Sequence, residues 1–390
     1  MLRKIKILSS LLVISCTTPE TKQIESNWGE LGKAGKITCN QWPVRETELD
    51  VSQMLASSTL GGGFIATMRM RNGSQIPVFA DGKSSSDLDV EEFVTLPIGR
   101  FAHVVGLAEW AGEPIAFIIQ NRNDRAWLEI RAVKNNRLVS RMPTPIEGDV
   151  YSGRISLTAK GWWLQLNHGE AEASFVKVTP EADSEWRFSL APLKTSTRFA
   201  SVVSNGSDLA GHVVEFVRGK NDNVSQFKVT KLDNSGQPKN LGTVNVPTKG
   251  GLESWSAAAI GSRVMLAVVR GDSMIGQASL IVAAIAGTGG ELKLEWSKEF
   301  PFDDVHLAEP AWVGDGSKAM IGIMKWMDGE GALSRFRVDA YKVDALGDVG
   351  VFEKGTVLVA GYLNERSDGV GAFRYRENEL WKYKICKLTL

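Results

Sequence analysis

The segment RFAHVV at residues 100–105 returns as RFASVV at residues 198–203, which lies 98 residues further along the chain. Since 98 is twice 49, the simplest repeating unit is about 49 residues long. Steps of 49 to 55 residues place the starts of successive repeats near Ser52, Phe101, Val150, Phe199, Ser254, Leu307 and Thr356. The chain of 390 residues therefore contains seven predicted repeats.

Short apolar segments with alternating polar residues recur within these repeats. FKVT at 227–230 and FRVD at 336–339 are examples, and a period of two residues is typical of β-strands. Each repeat begins with one such strand, continues with a very apolar second strand such as VML at 264–266, and ends with a fourth such as EWRFS at 185–189. Four antiparallel strands per repeat predict an all-β chain, folded as a β-propeller in a single domain over residues 36–390. Seven four-stranded blades fit the repeat spacing best, and six or eight blades are the alternatives.

Two adjacent tryptophans, Trp162 and Trp163, lie within one predicted second strand. Successive side chains of a strand point to opposite faces of the sheet. We therefore expect the two indole rings to pack on opposite sides of one blade, as core residues.

The last repeat is short by about one strand, because only 35 residues remain from its start at Thr356 to the end of the chain. The strand-like segment KITCNQW at 36–42 precedes the first repeat, and an N-terminal strand commonly completes the final blade of a circular propeller. Pairing of this segment with residues 380–388 would bring Cys39 and Cys386 to similar levels of neighbouring strands. In an exported chain this predicts a disulfide between them, and two free buried thiols are the alternative.

The N-terminus carries a targeting pattern. A basic segment, LRKIK at 2–6, is followed by an apolar run at 7–14 that is too short to span a bilayer, and then by VISC at 13–16. The pattern resembles the signal peptide of bacterial lipoproteins, whose lipobox has an aliphatic residue three positions before a cysteine and a small residue immediately before it. The resemblance covers residues 1–16, and the alternative is an ordinary secretory signal.

The lipoprotein resemblance implies that residues 1–15 are removed and that Cys16 becomes an acylated N-terminus. Residues 16–35 are polar and aperiodic and contain Pro and Gly, so they are predicted to form a flexible tether. Thr17 follows the cysteine, whereas an Asp at that position is the familiar signal for retention in the inner membrane. We therefore expect a protein of the bacterial cell envelope, anchored by its lipid to the outer membrane.

The charge pattern excludes nucleic acid as a partner. The chain has 45 basic and 45 acidic side chains and no block rich in Lys or Arg, so it has no electrostatic footprint for nucleic acid. A lipoprotein propeller of this length is also similar in architecture to the propeller component of the outer-membrane protein assembly machinery. The repeat motif of that family is not clearly present, and none of its residues is transferred to this chain.

The sequence has no local catalytic or metal motif. The four histidines are far apart and have no ligand spacing, so neither a metal site nor a cofactor is predicted. Because the first strand of every propeller blade lines the central channel, polar residues on or beside these strands could converge at one channel mouth. These residues are Arg100, His103, Arg154, Arg198, Glu253, His306 and Glu309. The alternative is that they are ordinary channel-lining groups bonded to water or to each other.

Two classes of function remain. The favoured class is a non-catalytic binding or scaffold module that presents the loops of one face to another envelope protein or to a glycan. The alternative is an envelope hydrolase or lyase with a polar site in the channel mouth. The small number of histidines and the lack of a repeated acidic residue favour binding.

Overall fold

A computed structural model of the chain consists of antiparallel β-strands. It describes residues 37–41, 54–58, 64–69, 75–80 and 102–388, the last range with gaps at 134, 169–171, 183–184, 197–199, 205–209, 218–223, 249–251, 273–276, 289–290, 304–305, 308–309, 315–318, 328–329, 354–356, 364–368 and 378–379. The predicted signal peptide, Cys16 and the predicted tether lie outside the described residues. Within the described residues there is no helix of the length and apolarity needed to cross a bilayer.

The first half of the chain contains the strands β1 (Ile37–Gln41), β2 (Met54–Ser58), β3 (Phe64–Arg69), β4 (Gln75–Ala80), β5 (Ala102–Trp110), β6 (Glu113–Asn121), β7 (Arg125–Ala132), β8 (Leu138–Arg141), β9 (Ile146–Glu147), β10 (Ser152–Thr158), β11 (Gly161–His168), β12 (Glu172–Pro180), β13 (Trp186–Thr195) and β14 (Ala200–Val203). The second half contains β15 (Gly211–Val217), β16 (Val224–Leu232), β17 (Pro238–Pro247), β18 (Leu252–Ile260), β19 (Arg263–Asp272), β20 (Gln277–Thr288), β21 (Glu291–Asp303), β22 (His306–Leu307), β23 (Ala311–Gly314), β24 (Ala319–Met327), β25 (Glu330–Val338), β26 (Val343–Glu353), β27 (Val357–Leu363), β28 (Gly369–Glu377) and β29 (Leu380–Leu388).

The described strands form seven antiparallel sheets, which we call blades 1 to 7 in chain order. They are blade 1 (β2–β4), blade 2 (β5–β9), blade 3 (β10–β13), blade 4 (β14–β17), blade 5 (β18–β21), blade 6 (β22–β26) and blade 7 (β27–β29 with β1). In blade 6 both β22 and β23 pair with β24, so together they occupy the position of the first strand. The seven blades begin within two residues of the starts that the repeat predicted.

The first strands of the blades contact one another in a ring. Strand β5 contacts β2 and β10, the contacts continue through β14, β18 and β23, and β27 contacts both β23 and β2. Each blade therefore has a neighbour on both sides, and the sheets close on themselves around a central axis. This closed ring of sheets confirms the predicted β-propeller.

The N-terminal strand completes the last blade, as predicted. Strand β1 pairs with β29 in the antiparallel direction, and β29, β28 and β27 follow it in order toward the axis. The register runs from Ile37 opposite Leu388 to Gln41 opposite Lys384, and Cys39 is directly opposite Cys386.

The apolar core lies in the layers between adjacent blades. The second strands belong to this core, since Val213, Val214 and Leu266 are fully buried. The predicted orientation of the two tryptophans is confirmed: Trp162 packs toward blade 2, 5.4 Å from the ring of Phe117, whereas Trp163 packs in the layer between blades 3 and 4.

We predict that Gly211→Ala lowers the free energy of unfolding by about 1–3 kcal/mol, because it overfills the layer beside Trp163. A Cβ atom at Gly211 would lie 2.7 Å from Cδ1 of that ring, which is fully buried and has no room to move. At Gly287 the nearest atom would be 3.8 Å away, so Gly287→Ala is the matched control and should leave stability unchanged. Urea unfolding of both variants measures the difference, and equal midpoints would contradict this packing.

Candidate functional site

The end of the ring at which the first strands begin carries most of the predicted site. We call it the entry rim: the turn at 122–124, the connection at 142–151 between blades 2 and 3, and the first residues of β5, β10 and β18. Because consecutive strands of a blade are antiparallel, the links from each fourth strand to the next first strand meet at this end. Segments from several blades therefore lie around one mouth of the channel.

The structure places the described members of the predicted mouth on this rim. His103 is the second residue of β5 and is half-buried, and Arg154 and Glu253 are exposed near the starts of β10 and β18. His306 is the first residue of β22. The other predicted members, Arg100, Arg198 and Glu309, lie outside the described residues.

Tyr151 belongs to the same rim, although the sequence analysis did not select it. It is 52% exposed and lies immediately before β10. Its ring makes an edge contact with the imidazole of His103, with the ring centroids 6.1 Å apart. The signal that identifies it is its position directly before a first strand.

Hydrogen bonds hold the backbone around Tyr151 in place. The Asn121 side chain donates to the Val150 carbonyl over 2.8 Å and accepts from the Val150 amide over 3.1 Å. The Tyr151 amide donates to the carbonyl of Asn167 on β11 over 2.9 Å. The connection between blades 2 and 3 is therefore fixed to both blades.

A buried amide joins blade 3 to blade 4 just inside the rim. The Gln165 side chain is 1% exposed, donates to the carbonyl of Ala200 over 3.3 Å and accepts from the amide of Val202 over 3.1 Å. A buried polar group is costly unless it is hydrogen-bonded, and here both ends of the amide have partners on the neighbouring first strand. The angle between these two blades is thus set by specific bonds as well as by apolar packing.

His168 and Ser174 form a second polar pair near the rim, on the outer side of blade 3. The Nε2 atom of His168 is 2.9 Å from Oγ of Ser174, and the ring also hydrogen-bonds to the backbone of Asp149. Burial lowers the pKa of His168, against the opposing effect of the nearby Glu172 carboxylate. The hydroxyl of Ser174, the imidazole of His168 and the Asp149 backbone thus follow one another in the order of a hydroxyl, a base and a group that orients the base. Ser174 is buried and is paired with Leu166, which packs in the layer between blades 2 and 3, so the pair lies in that layer.

The ion pairs with the most deeply buried carboxylate among the described side chains lie away from the first strands. Glu129 on β7 is nearly fully buried and accepts hydrogen bonds from Arg131 and Arg141, with its carboxylate 2.6 Å and 2.5 Å from their guanidinium groups. Both arginines belong to the outer half of blade 2. Among the described side chains there is no group of three or more His, Cys, Asp or Glu residues placed to hold a metal ion.

The opposite rim carries one exposed aromatic of comparable size. Tyr341 lies in the turn between β25 and β26 and is 75% exposed. The guanidinium of Arg263 lies over its ring, 4.5 Å from the centroid. Each rim therefore presents an exposed tyrosine, Tyr151 beside His103 on the entry rim and Tyr341 beside Arg263 on the opposite rim.

No family model and no curated protein matches the sequence. Solved structures with a similar chain path include the WD40 domain of SCAP from fission yeast, at 9% identity and a TM-score of 0.38, covering 91% of this chain and 98% of that one. The β-propeller domain of Nup133 from Vanderwaltozyma polyspora has 7% identity and a TM-score of 0.46, covering 92% of this chain and 99% of its own. The cobalt-substituted apocarotenoid oxygenase from Synechocystis has 10% identity and a TM-score of 0.40, covering 73% of this chain and 69% of its own.

The lowered pKa of His168 predicts a pH dependence of stability. Below the ordinary pKa of about 6.5 the unfolded chain binds a proton at this ring more readily than the folded chain does, so stability falls as the pH falls through this range. We expect His168→Gln, which retains an amide to bond with Ser174, to make the urea midpoint less dependent on pH between about 7.5 and 5.5. Parallel pH profiles for wild type and variant would show that His168 does not contribute.

Proposed function

We propose that the protein is a lipid-anchored binding module of the bacterial cell envelope, in which the propeller presents its entry rim to a protein partner. The proposal has three parts: an anchor at Cys16, an orientation of the ring relative to the membrane, and a binding surface on the rim. Each part is supported by a different observation, and the anchor and the binding surface are tested separately.

The anchor is supported by residues 1–16, where a basic segment and a short apolar run end in the tetrapeptide VISC. Acylation of Cys16 would attach the chain after removal of residues 1–15. A single acyl chain anchors only marginally, so stable attachment needs the two or three chains that are usual for this class.

The orientation is supported by the direction of β1. The Ile37 end of β1 pairs with Leu388, at the end of β29, whereas Gln41 lies toward the entry rim. A tether that enters at Ile37 therefore joins the ring on the side opposite the entry rim. A flexible tether of 20 residues (16–35) has a root-mean-square length of about 25 Å. The entry rim is then the side of the ring farther from the point at which the tether attaches.

The single observation that carries the binding function is the exposure of Tyr151 on a fixed backbone at the start of blade 3, with Arg154 also exposed three residues further along. Tyrosine and arginine are enriched among the residues that dominate protein interfaces. Both side chains are exposed, and the backbone before them is held by Asn121 and by the Tyr151 amide bond. Residues that are already positioned lose less conformational entropy on binding, which increases affinity.

The anchor predicts a defined N-terminal peptide. In the exported protein, the tryptic peptide CTTPETK of residues 16–22 should carry acyl chains on Cys16. Mass spectrometry of envelope fractions detects the added mass. The matched control is Cys16→Ser, which should retain residues 1–15 and appear in the unprocessed form. An unmodified Cys16 thiol on a mature chain would overturn the anchor.

The binding surface predicts a difference between the two rims. Tyr151→Ala should weaken binding to a partner captured from detergent-solubilised envelope by about tenfold or more, since loss of a central aromatic contact costs about 2 kcal/mol. Tyr341→Ala removes the same side chain from the opposite rim and should leave the affinity unchanged. Titration of the purified partner against each variant measures the dissociation constants.

Two outcomes would contradict this assignment. Equal losses in both variants would indicate a general effect on the fold, and loss only in Tyr341→Ala would place the surface on the other rim. Binding to isolated cell-wall glycan in the absence of any protein partner would show that the ligand is a glycan and not a protein.

A further inference from the structure

The two ends of the ring meet at one pair of residues in blade 7. In the register of β1 and β29, Cys39 is directly opposite Cys386, with two paired residues on either side of it in β1. These two residues and Cys16 are the only cysteines in the chain. The sequence places them 347 positions apart, and ring closure alone makes them neighbours.

The backbone geometry of such a pair suits a disulfide. Directly opposed residues of antiparallel strands have Cα atoms about 4.5–5.5 Å apart and place their side chains on the same face of the sheet. Disulfides usually join Cα atoms about 4.4–6.8 Å apart. A slip of the pairing by one residue would put the two positions on opposite faces, so the observed register is the one that permits the bond.

We propose that Cys39 and Cys386 form a disulfide that locks the ring closed. Two thiols lose two protons and two electrons to form the bond. The electron pair passes by thiol–disulfide exchange to the disulfide of an oxidising protein in the exported compartment, which becomes a dithiol. Closing a loop of this length removes much of the freedom of the unfolded chain and thereby stabilises the folded ring.

The position of β1 explains why this strand needs a covalent link. It has only five residues, it lies at the outer edge of blade 7, and it has a pairing partner on one side alone. Without it, blade 7 has three described strands, and among the described strands blades 7 and 1 are joined through the contact of β27 with β2. If the lipid anchor of the proposed function is present, force on the tether also acts first on β1.

Peptide mapping without reductant tests the bond directly. The exported full-length protein is alkylated under denaturing conditions and digested with trypsin. We expect the peptide ITCNQWPVR (37–45) to be joined to ICK (385–387), with a mass two hydrogens below the sum of the two peptides. Alkylated free thiols in both peptides, or a link from either one to Cys16, would overturn the proposal.

Stability measurements test whether the bond locks the ring. Reductant should lower the melting midpoint of the wild-type protein by about 5 °C or more, and should leave Cys39→Ser and Cys386→Ser unchanged. The double variant should be no less stable than either single variant, because each substitution removes the same bond. Additive losses would indicate two independent buried thiols and would overturn the lock, and this result does not depend on whether Cys16 is acylated.

Discussion

Every fully described blade of this propeller has two apolar faces, and both must be covered. Strand β19 shows the constraint most clearly, because its residues from 264 to 269 are buried on both sides. Val264, Leu266 and Val268 pack toward blade 4, whereas Met265, Ala267 and Val269 pack toward blade 6. An open row of such sheets would expose an apolar face at each end. A closed ring gives every sheet two neighbours, and the contact between β27 and β2 completes it.

Because the blades pack closely, polar side chains at their interfaces form hydrogen bonds with the neighbouring blade. Lys177 of blade 3 donates to the carbonyl of Asn234 in blade 4, and Lys298 of blade 5 donates to the carbonyl of Val343 in blade 6. In both cases a lysine reaches the segment around the turn between the third and fourth strands of the next blade. Together with Gln165, these bonds fix how one blade is rotated against the next. Apolar packing supplies most of the stability, and the directional bonds make the arrangement specific.

The close packing of the blades positions the residues of the entry rim. The first strands of blades 2 and 3 approach so closely that a Cβ atom at Gly153 would lie 2.6 Å from Cβ of Val105. This close approach brings Tyr151 beside His103, on the strand of the preceding blade. Exposed residues that such a scaffold holds in place lose little conformational entropy when a partner binds them. A rim of this kind is therefore suited to binding. The polar pair of His168 and Ser174 lies between blades, where the same scaffold makes it part of the structure.

The sequence by itself determined the strand-rich class, the repeat that starts near Phe101 and Phe199, and the N-terminal strand in the last blade. These features depend on local periodicity, or on the number of residues left at the end of the chain, and both can be counted without a structure. Only the tertiary structure decided that Tyr151 lies against His103, that Gln165 bonds across to blade 4, and that Cys39 is directly opposite Cys386, where the sequence predicted only similar levels of neighbouring strands. Each of these contacts joins segments from different blades or from opposite ends of the chain. Their geometry depends on how the sheets are rotated against one another and on how the ring closes. No local pattern of residues specifies either.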